Sequence, residues 1–170
     1  MKKINFLLAL VMLFTSIIIT SCGTHLNKQR QSSGSYAHES SCLGVEQDGS
    51  QTLKVSGNGR NRTDAVEQAK KNGVRDVLFK GIRAGNSECN MKPVVSEVNA
   101  QEKYEDYFNK FFADGGAYTN FISGKDGSDL HIEVIQNREK SGSQETYNII
   151  IRVLRAELKA KMIEDKILAQ

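Results

Sequence analysis

The 170-residue chain has no tryptophan, one proline and three histidines, and several catalytic signatures are missing from it. It contains no His-Glu-x-x-His zinc motif, no Gly-x-Ser-x-Gly nucleophile elbow and no Ser-x-x-Lys pair. The enzyme classes that depend on those motifs are therefore excluded. Acidic and basic residues are scattered along predicted helix faces, as solvated charges usually are. We expect no enzymatic activity, no catalytic residue and no cofactor.

A phosphate-binding loop is suggested by residues 55–78, "VSGNGRNRTDAVEQAKKNGVRDVL", which read as strand, glycine turn and helix. A dinucleotide fingerprint requires a third glycine where Arg62 stands, and a Walker loop requires Gly-Lys-Ser/Thr at the start of the helix. The sequence has neither, so no nucleotide is expected. We interpret Gly57 and Gly59 as residues that permit a sharp reversal from strand to helix.

Residues 1–21 are typical of an export signal. Lys2 and Lys3 form a positive start, and Phe6 to Ile19 is an uncharged apolar run, shorter than the ~20 residues of a membrane-spanning helix. Ile19-Thr20-Ser21-Cys22 then resembles the bacterial lipobox, in which the peptide bond before the cysteine is cut and the thiol carries diacylglycerol. The alternative is an ordinary signal peptide or an N-terminal anchor with an incidental cysteine.

Lipidation of Cys22 predicts where the protein resides. Several acyl chains hold a protein firmly at a bilayer, whereas one chain gives only marginal binding. Gly23 provides no inner-membrane retention signal, and no acidic run follows it to suggest surface export. We expect attachment to the outer membrane, facing the periplasm, with the lipid bilayer and other envelope proteins as partners.

Without residues 1–21, the chain keeps 21 basic and 20 acidic side chains, a formal charge of +1. Such a near-neutral balance argues against nucleic-acid binding, which requires a clustered basic face. Residues 22–42, the acylated cysteine and a polar Ser/Gln-rich stretch, predict a flexible spacer. A single folded domain is expected over residues 43–170.

Cys42 and Cys89 remain after Cys22 is assigned to the lipid. In an oxidising exported compartment, such a pair is a candidate disulfide. The alternative is two free thiols, or a Cys42 that pairs with nothing. A zinc site that combines them with His38 and His131 matches no known ligand spacing, so no metal is expected.

The first part of the domain predicts a strand and a long helix. Thr52–Ser56 alternates apolar and polar residues, and Thr63 is the predicted N-cap of a helix that ends near Gly81. Residues 83–96 read as a loop. One face of the helix carries small and apolar residues, which indicates close approach to a sheet: Val66, Ala69, Gly73 and Val77.

The remainder predicts a helix, a hairpin and a terminal helix. Residues 102–113 place four aromatic side chains on one helical stripe, which we interpret as core: Tyr104, Tyr107, Phe108 and Phe111. Alternation at 130–134 and 147–153 predicts two strands joined by a polar turn at 137–145. From Arg155 the period is helical, with the predicted buried stripe Ala156, Ala160, Ile163 and Ile167. The fold class is therefore α+β, in the order β-α-α-β-β-α, with an antiparallel sheet of about three strands backed by helices.

A lipobox, a strand followed by a Gly-x-Gly turn, a Ser/Thr-capped helix with alanines at every fourth position, and later paired strands with a terminal helix form a pattern. This pattern resembles the bacterial LPP-twenty lipoproteins and the related N-terminal domain of flagellar assembly protein T. The residues that carry this resemblance are Gly57, Gly59, Thr63, Asp64, Ala65 and Ala69. Gly73, where that family usually has alanine, departs from the pattern. The resemblance implies a non-catalytic envelope domain and assigns no active-site residue.

Two functions remain open on the sequence. The first is a lipid-anchored bacterial envelope lipoprotein whose domain serves interaction or assembly. The second is a lipoprotein that hydrolyses or binds cell-wall or glycan material. A deep cleft lined by Glu102, Glu105 or Asp106 would favour the second, and a filled surface there would favour the first.

Overall fold

Six strands form one sheet in the computed structural model, which describes residues 40–124, 133–141 and 144–169, with no side chains described at 133–141 and 144. This arrangement confirms the α+β class. The elements in chain order are β1 (Ser41–Val45), β2 (Gln51–Gly59), α1 (Arg62–Phe79), β3 (Ala84–Gly85), α2 (Ala100–Lys103), α3 (Glu105–Phe111), a 3₁₀-helix (Ala117–Phe121), β4 (Ile122–Ser123), β5 (Glu133–Ser141), β6 (Gln144–Val153) and α4 (Arg155–Glu164).

β6 is the central strand of the sheet, whose order is β3-β1-β2-β6 with β4 and β5 beyond β6. Along one edge β6 pairs antiparallel with the whole of β2, from Gln51 opposite Val153 to Gly59 opposite Glu145. Its other edge pairs with β4 at one end and β5 at the other. β4 and β5 thus both lie on the edge of β6 that β2 does not occupy.

The predicted sheet of about three strands corresponds to the long strands β2, β5 and β6, and the structure adds three short ones. β1 pairs antiparallel with β2, whereas β3 runs parallel to β1 through two residues only. β1 begins at Ser41, two residues before the predicted domain boundary at 43. Ser41 and Cys42 therefore belong to the sheet. Strands as short as β3 and β4 show no alternation that a sequence pattern could reveal.

Helix α1 packs across β2 and β6 on one face of the sheet. The side chains that meet it alternate along these strands, and Leu53, Val55, Ile149 and Ile151 have no exposed surface. On the opposite face polar cross-strand pairs dominate, as where the Thr146 hydroxyl donates to Asn58 Oδ1 at 2.7 Å. The alternation of period two thus separates a buried face from a polar one.

Gly57 and Gly59 do not form the predicted turn, because both lie within β2 and neither has a positive φ. A Cβ on Gly57 would overlap the Ala65 carbonyl oxygen and stand 2.7 Å from Ala69 Cβ, and one on Gly59 would stand 2.6 Å from Asp64 Cβ. The glycines are there because the first turns of α1 lie directly on the strand backbone. Interpreting them as a strand break was wrong.

The start of α1 also differs from the prediction. Asn61, not Thr63, is the N-cap, and its side-chain oxygen accepts the N–H of Asp64 at 2.9 Å. Asparagine is at least as good an N-cap as threonine, so the helix begins two residues earlier. At the other end Gly81 turns the chain with a φ of 73°, and its N–H donates to the Asp76 carbonyl oxygen at 2.8 Å.

The aromatic segment predicted as one helix forms two, since the chain is not helical at Tyr104. Its interpretation as core is correct for Phe108 and Phe111, which are buried together with Phe112. Phe108 packs edge-on against Phe79 of α1, with ring centroids 4.9 Å apart. Tyr104 and Tyr107 pack against the margin of this cluster.

The terminal elements carry two corrections. The polar residues 137–145 are mostly strand, because β5 continues to Ser141 and β6 begins at Gln144; residues 130–132 lie outside the described part of the chain. In α4 the buried residues are Leu158 and Met162, whereas the predicted Ala156 and Ala160 are exposed and Ile163 is only partly buried. Ile167, just beyond the helix, is buried as predicted. The longer side chains remove more apolar surface from water, and this decides which face packs inward.

Candidate functional site

The structure brings together Cys42 and Cys89 from the predicted site residues, in a disulfide with an S–S distance of 2.06 Å and a Cα–Cα distance of 5.9 Å. Cys42 lies on β1, and Cys89 lies in the loop between β3 and α2. Both cysteine residues are buried, at 2% and 3% exposed. Because each thiol is used in this bond, neither is available as a zinc ligand. Cys22, His38 and His131 lie outside the described residues.

A charged cluster joins the turn between β1 and β2 to β6. Arg152 donates from Nη2 to Asp48 Oδ2 at 2.6 Å, and its Nε donates to the Ser50 hydroxyl. The Ser50 hydroxyl in turn donates to Asp48 Oδ1 at 2.6 Å. The hydrogen bonds from Ser50 and then Arg152 hold the pKa of the Asp48 carboxyl well below its usual range. Asp48, Ser50 and Arg152 all bond to each other, so the cluster fixes the turn of the β1–β2 hairpin against β6.

A second cluster lies beside α1, at the wall of an open cleft of about 590 Å³. The fully buried Tyr118 donates its hydroxyl to Glu67. Lys71 forms an ion pair with Asp114 at 2.5 Å and lies over the Tyr118 ring. Partial burial acts to raise the pKa of the Glu67 carboxyl, but the Tyr118 hydrogen bond and the nearby Lys70 ammonium outweigh it and lower that pKa. These contacts attach the 3₁₀-helix to α1.

Tyr118→Phe should reduce the free energy of unfolding by about 2 kcal/mol at pH 7, because a hydrogen bond to a charged acceptor is lost. The Glu67 pKa is depressed in the folded protein, so its contribution is fully present above the ordinary glutamate pKa, starts to decline below that value, and is lost as the pH falls through the lower pKa of the folded state. Urea unfolding should therefore show a smaller loss at pH 3 than at pH 7. In a Glu67→Gln background the loss should not depend on pH. Equal losses at both pH values in the single variant would contradict this role.

A third feature, the Arg75 cleft, is an open depression of about 400 Å³ between α1 and the α2–α3 segment. We define it by Arg75, Phe79, Glu102, Glu105, Phe108 and Phe112. The Arg75 guanidinium stacks on the Phe112 ring, with its carbon 4.7 Å from the ring centroid. Burial lowers the pKa of this guanidinium, while the charge of the adjacent Asp76 acts in the opposite direction.

The sequence named two members of this cleft, Glu102 and Glu105, and the structure places both in its lining. Asp106, named with them, is exposed and does not line it. Both glutamates are exposed as well, and the cleft is open to solvent instead of deep. Sequence reasoning missed Arg75, which is the one charged residue on the α1 side of the cleft and carries no motif that could have indicated it.

Comparison with known proteins gives no relative: no family model, no curated protein and no solved structure matches this chain. Within residues 40–124, 133–141 and 144–169, no helix is long and apolar enough to cross a membrane. In the same ranges, no three His, Cys, Asp or Glu side chains are grouped so that they could hold a metal ion.

Proposed function

We propose that the protein is a lipid-anchored bacterial envelope lipoprotein whose α+β domain serves interaction or assembly and not catalysis. Residues 1–21 act as its signal, Cys22 carries the lipid, and the following polar residues connect the lipid to a domain that begins at β1. The resemblance to the LPP-twenty lipoproteins supports the same proposal through its residue pattern, Gly57, Gly59, Asp64, Ala65 and Ala69, and not through the turn and the Thr63 cap, which the structure replaces with a continuous strand and an Asn61 cap.

The disulfide between Cys42 and Cys89 is the observation that carries this proposal. Disulfides persist in oxidising compartments such as the bacterial periplasm and are rare in the cytosol. The bond attaches the first strand of the domain to the loop before α2, close to the point where the predicted spacer ends. The export signal in the sequence and the disulfide in the fold both support an exported protein.

The non-catalytic assignment is supported by the partners of the more buried carboxylates. Asp76, 2% exposed, accepts the Ser40 hydroxyl at 2.7 Å and forms an ion pair with Lys80 at 3.0 Å. Asp165 accepts the Tyr107 hydroxyl at 2.5 Å. The Ser40–Asp76, Tyr107–Asp165 and Tyr118–Glu67 hydrogen bonds each connect different parts of the fold, whereas the Asp76–Lys80 pair lies at the end of α1. Each of these carboxylates therefore has a structural role, in which it holds another part of the fold by a hydrogen bond.

A Cys22→Ala variant should no longer fractionate with bacterial membranes and should appear in the soluble envelope fraction or as unprocessed precursor. The reason is that loss of the thiol removes the site of acylation, and with it the apolar chains that hold the protein at the bilayer. Ser21→Ala is the matched control, because it keeps a small residue before the cysteine and should remain membrane-bound. Immunoblots of fractionated cells measure both. Membrane association of Cys22→Ala equal to that of the wild type would disprove the anchor.

One observation favours the alternative of a hydrolase or glycan-binding lipoprotein: Glu102 and Glu105 line a cleft. A carboxyl that acts as a general acid is normally kept protonated by an apolar, buried environment. Both of these glutamates are exposed, which favours a binding surface over a hydrolytic one. Crosslinking in the native envelope, followed by mass spectrometry of the captured species, should recover a protein; release of cell-wall fragments by the purified chain would support the alternative.

A further inference from the structure

The chain enters the described domain beside the C-terminal end of α1. Ser40, the first residue that the structure describes, is buried and donates its hydroxyl to Asp76 Oδ2 at 2.7 Å. Asp76 lies in the last turn of α1, and its other carboxylate oxygen pairs with Lys80 at 3.0 Å. These contacts fix the entry point of the chain to one end of the domain.

Arg83 lies next to this entry point. It immediately precedes β3, in which Ala84 pairs in parallel register with Ser41. Arg83 and Ser40 each precede one member of that pair, and paired strands lie about 5 Å apart. The Arg83 side chain is exposed, and it forms no ion pair within residues 40–124, 133–141 and 144–169.

Two lysines lie at the same end of the domain. Lys80 follows α1 directly and stays exposed despite its pair with Asp76. The Lys92 backbone is next to Gly81, because a Cβ on Gly81 would stand 3.0 Å from the Lys92 carbonyl carbon. Lys92 is also exposed, and no carboxylate in the described ranges pairs with it. We call Lys80, Arg83 and Lys92 the basic cluster.

The surface around the basic cluster is positive and partly apolar. Residues 80–92 contain one acid, Glu88, against the three basic side chains. Arg155 adds a further positive charge, since its Nη2 donates to the Lys92 carbonyl oxygen at 3.0 Å. Met91 is 53% exposed beside these cations. Basic side chains next to an exposed apolar one are typical of surfaces that bind a membrane interface.

The length of the predicted spacer keeps this surface close to a bilayer. Residues 22–39 separate the predicted lipid on Cys22 from Ser40, and a flexible chain of that length would have a root-mean-square end-to-end distance of about 23 Å. Such a connection makes a second contact with the same bilayer intramolecular, so a weak attraction is sufficient. The end of the domain that the chain enters is then the end best placed to meet the headgroups.

From these observations, we propose that the basic cluster docks the domain on the anionic phospholipid headgroups of the bilayer that holds its lipid. Arg83 and Lys92 pair with headgroup phosphates, and Met91 contacts the apolar layer beneath them. The C-terminal end of α1 therefore faces the membrane, and its N-terminal end faces away. This inference rests on the proposed lipid anchor and adds which surface of the domain meets the bilayer.

Hydrogen–deuterium exchange tests the contact on protein recovered from bacterial membranes and reconstituted into vesicles. One set of vesicles is phosphatidylcholine alone, and the other contains about 30% phosphatidylglycerol to supply anionic headgroups. Amides of residues 80–92 should exchange about tenfold more slowly on the anionic vesicles, because each basic side chain near such a surface strengthens the contact about fivefold. This protection should disappear in ~0.5 M NaCl, where the Debye length is about 4 Å.

Variants assign the protection to the basic cluster. Arg83→Gln combined with Lys92→Gln should abolish the difference between the two kinds of vesicle, since two cations together account for about 25-fold in the contact. Both positions are exposed, so the variant is expected to fold. Arg62→Gln combined with Lys110→Gln is the matched control. It removes the same charge from exposed positions in the first turn of α1 and on α3, and it should keep the full difference.

Sedimentation with the vesicles separates failure of this inference from failure of the anchor. Protein that sediments with both kinds of vesicle but exchanges equally at residues 80–92 would overturn the docking surface and leave the anchor intact. An equal loss of protection in the control variant would also overturn it. Protection that rises with protein density and not with phosphatidylglycerol would assign the surface to a second copy of the chain, against the proposal. Failure to sediment with phosphatidylcholine vesicles would contradict the anchor and this inference together.

Discussion

Replacement of Gly57 with alanine is expected to reduce the free energy of unfolding by about 3 kcal/mol or more. The added Cβ would overlap the Ala65 carbonyl oxygen and stand 2.7 Å from Ala69 Cβ. Two of the neighbouring atoms belong to the backbone of α1, which cannot rotate away as a side chain would. To relieve the overlap, α1 must move off the sheet, and that movement would open the contacts between α1 and the buried strand residues Val55 and Ile151.

Gly44→Ala is the matched control for this variant. Gly44 also lies in a strand, but the nearest atom to an added Cβ is Glu88 Oε2 at 3.8 Å, an ordinary contact. This change should be neutral or stabilise the domain by a few tenths of a kcal/mol, because alanine restricts the unfolded chain. Urea denaturation of the two variants provides the comparison. A loss at Gly57 no larger than that at Gly44 would show that α1 does not lie on the β2 backbone.

The second large effect is expected from Cys42→Ala combined with Cys89→Ala. The bond connects residues 47 positions apart, and closing a loop of that length stabilises a fold by about 4 kcal/mol in the chain-entropy account. Its loss should also release β1 and the short parallel strand β3 from each other. We expect a midpoint of urea unfolding well below that of the wild type, with an unchanged helix signal in the absence of denaturant.

Reduction supplies an internal check on that variant. Dithiothreitol should lower the unfolding midpoint of the wild type to that of the double variant and leave the variant unaffected. Alkylation before and after reduction, read by mass spectrometry, should label Cys42 and Cys89 only after reduction. Labelling of both thiols in the native, unreduced protein would contradict the disulfide.

The sequence predicts the buried face of α1 correctly, but the reason it suggests for Gly57 and Gly59 in β2 is wrong. Ala69, Gly73 and Val77 recur at helical spacing, and small residues on such a stripe indicate close packing. Gly57 and Gly59 could be assigned to a turn or to a close approach on the sequence alone. Only the position of α1 over β2 distinguishes these two interpretations, because atoms of Ala65 and Ala69 occupy the space that a Cβ on Gly57 would need.

The Arg75 cleft could not be predicted because its charges are distant in sequence. Arg75 lies on α1, and Glu105 follows thirty positions later on a different helix. Neither belongs to a motif with defined spacing, so their convergence depends on how the aromatic residues of α3 pack against Phe79. The terminal helix shows the same limit: a stripe of Ala156 and Ala160 and a stripe of Leu158 and Met162 both fit a helical period, and packing selects the second.

The mass of the N-terminal peptide, measured on protein recovered from bacterial membranes, tests the central claim that this is a lipid-anchored envelope protein. We expect a peptide that begins at Cys22, lacks residues 1–21 and carries the added mass of acyl chains on that cysteine. A peptide that still begins at Met1, or one in which Cys22 carries no lipid, would contradict the account.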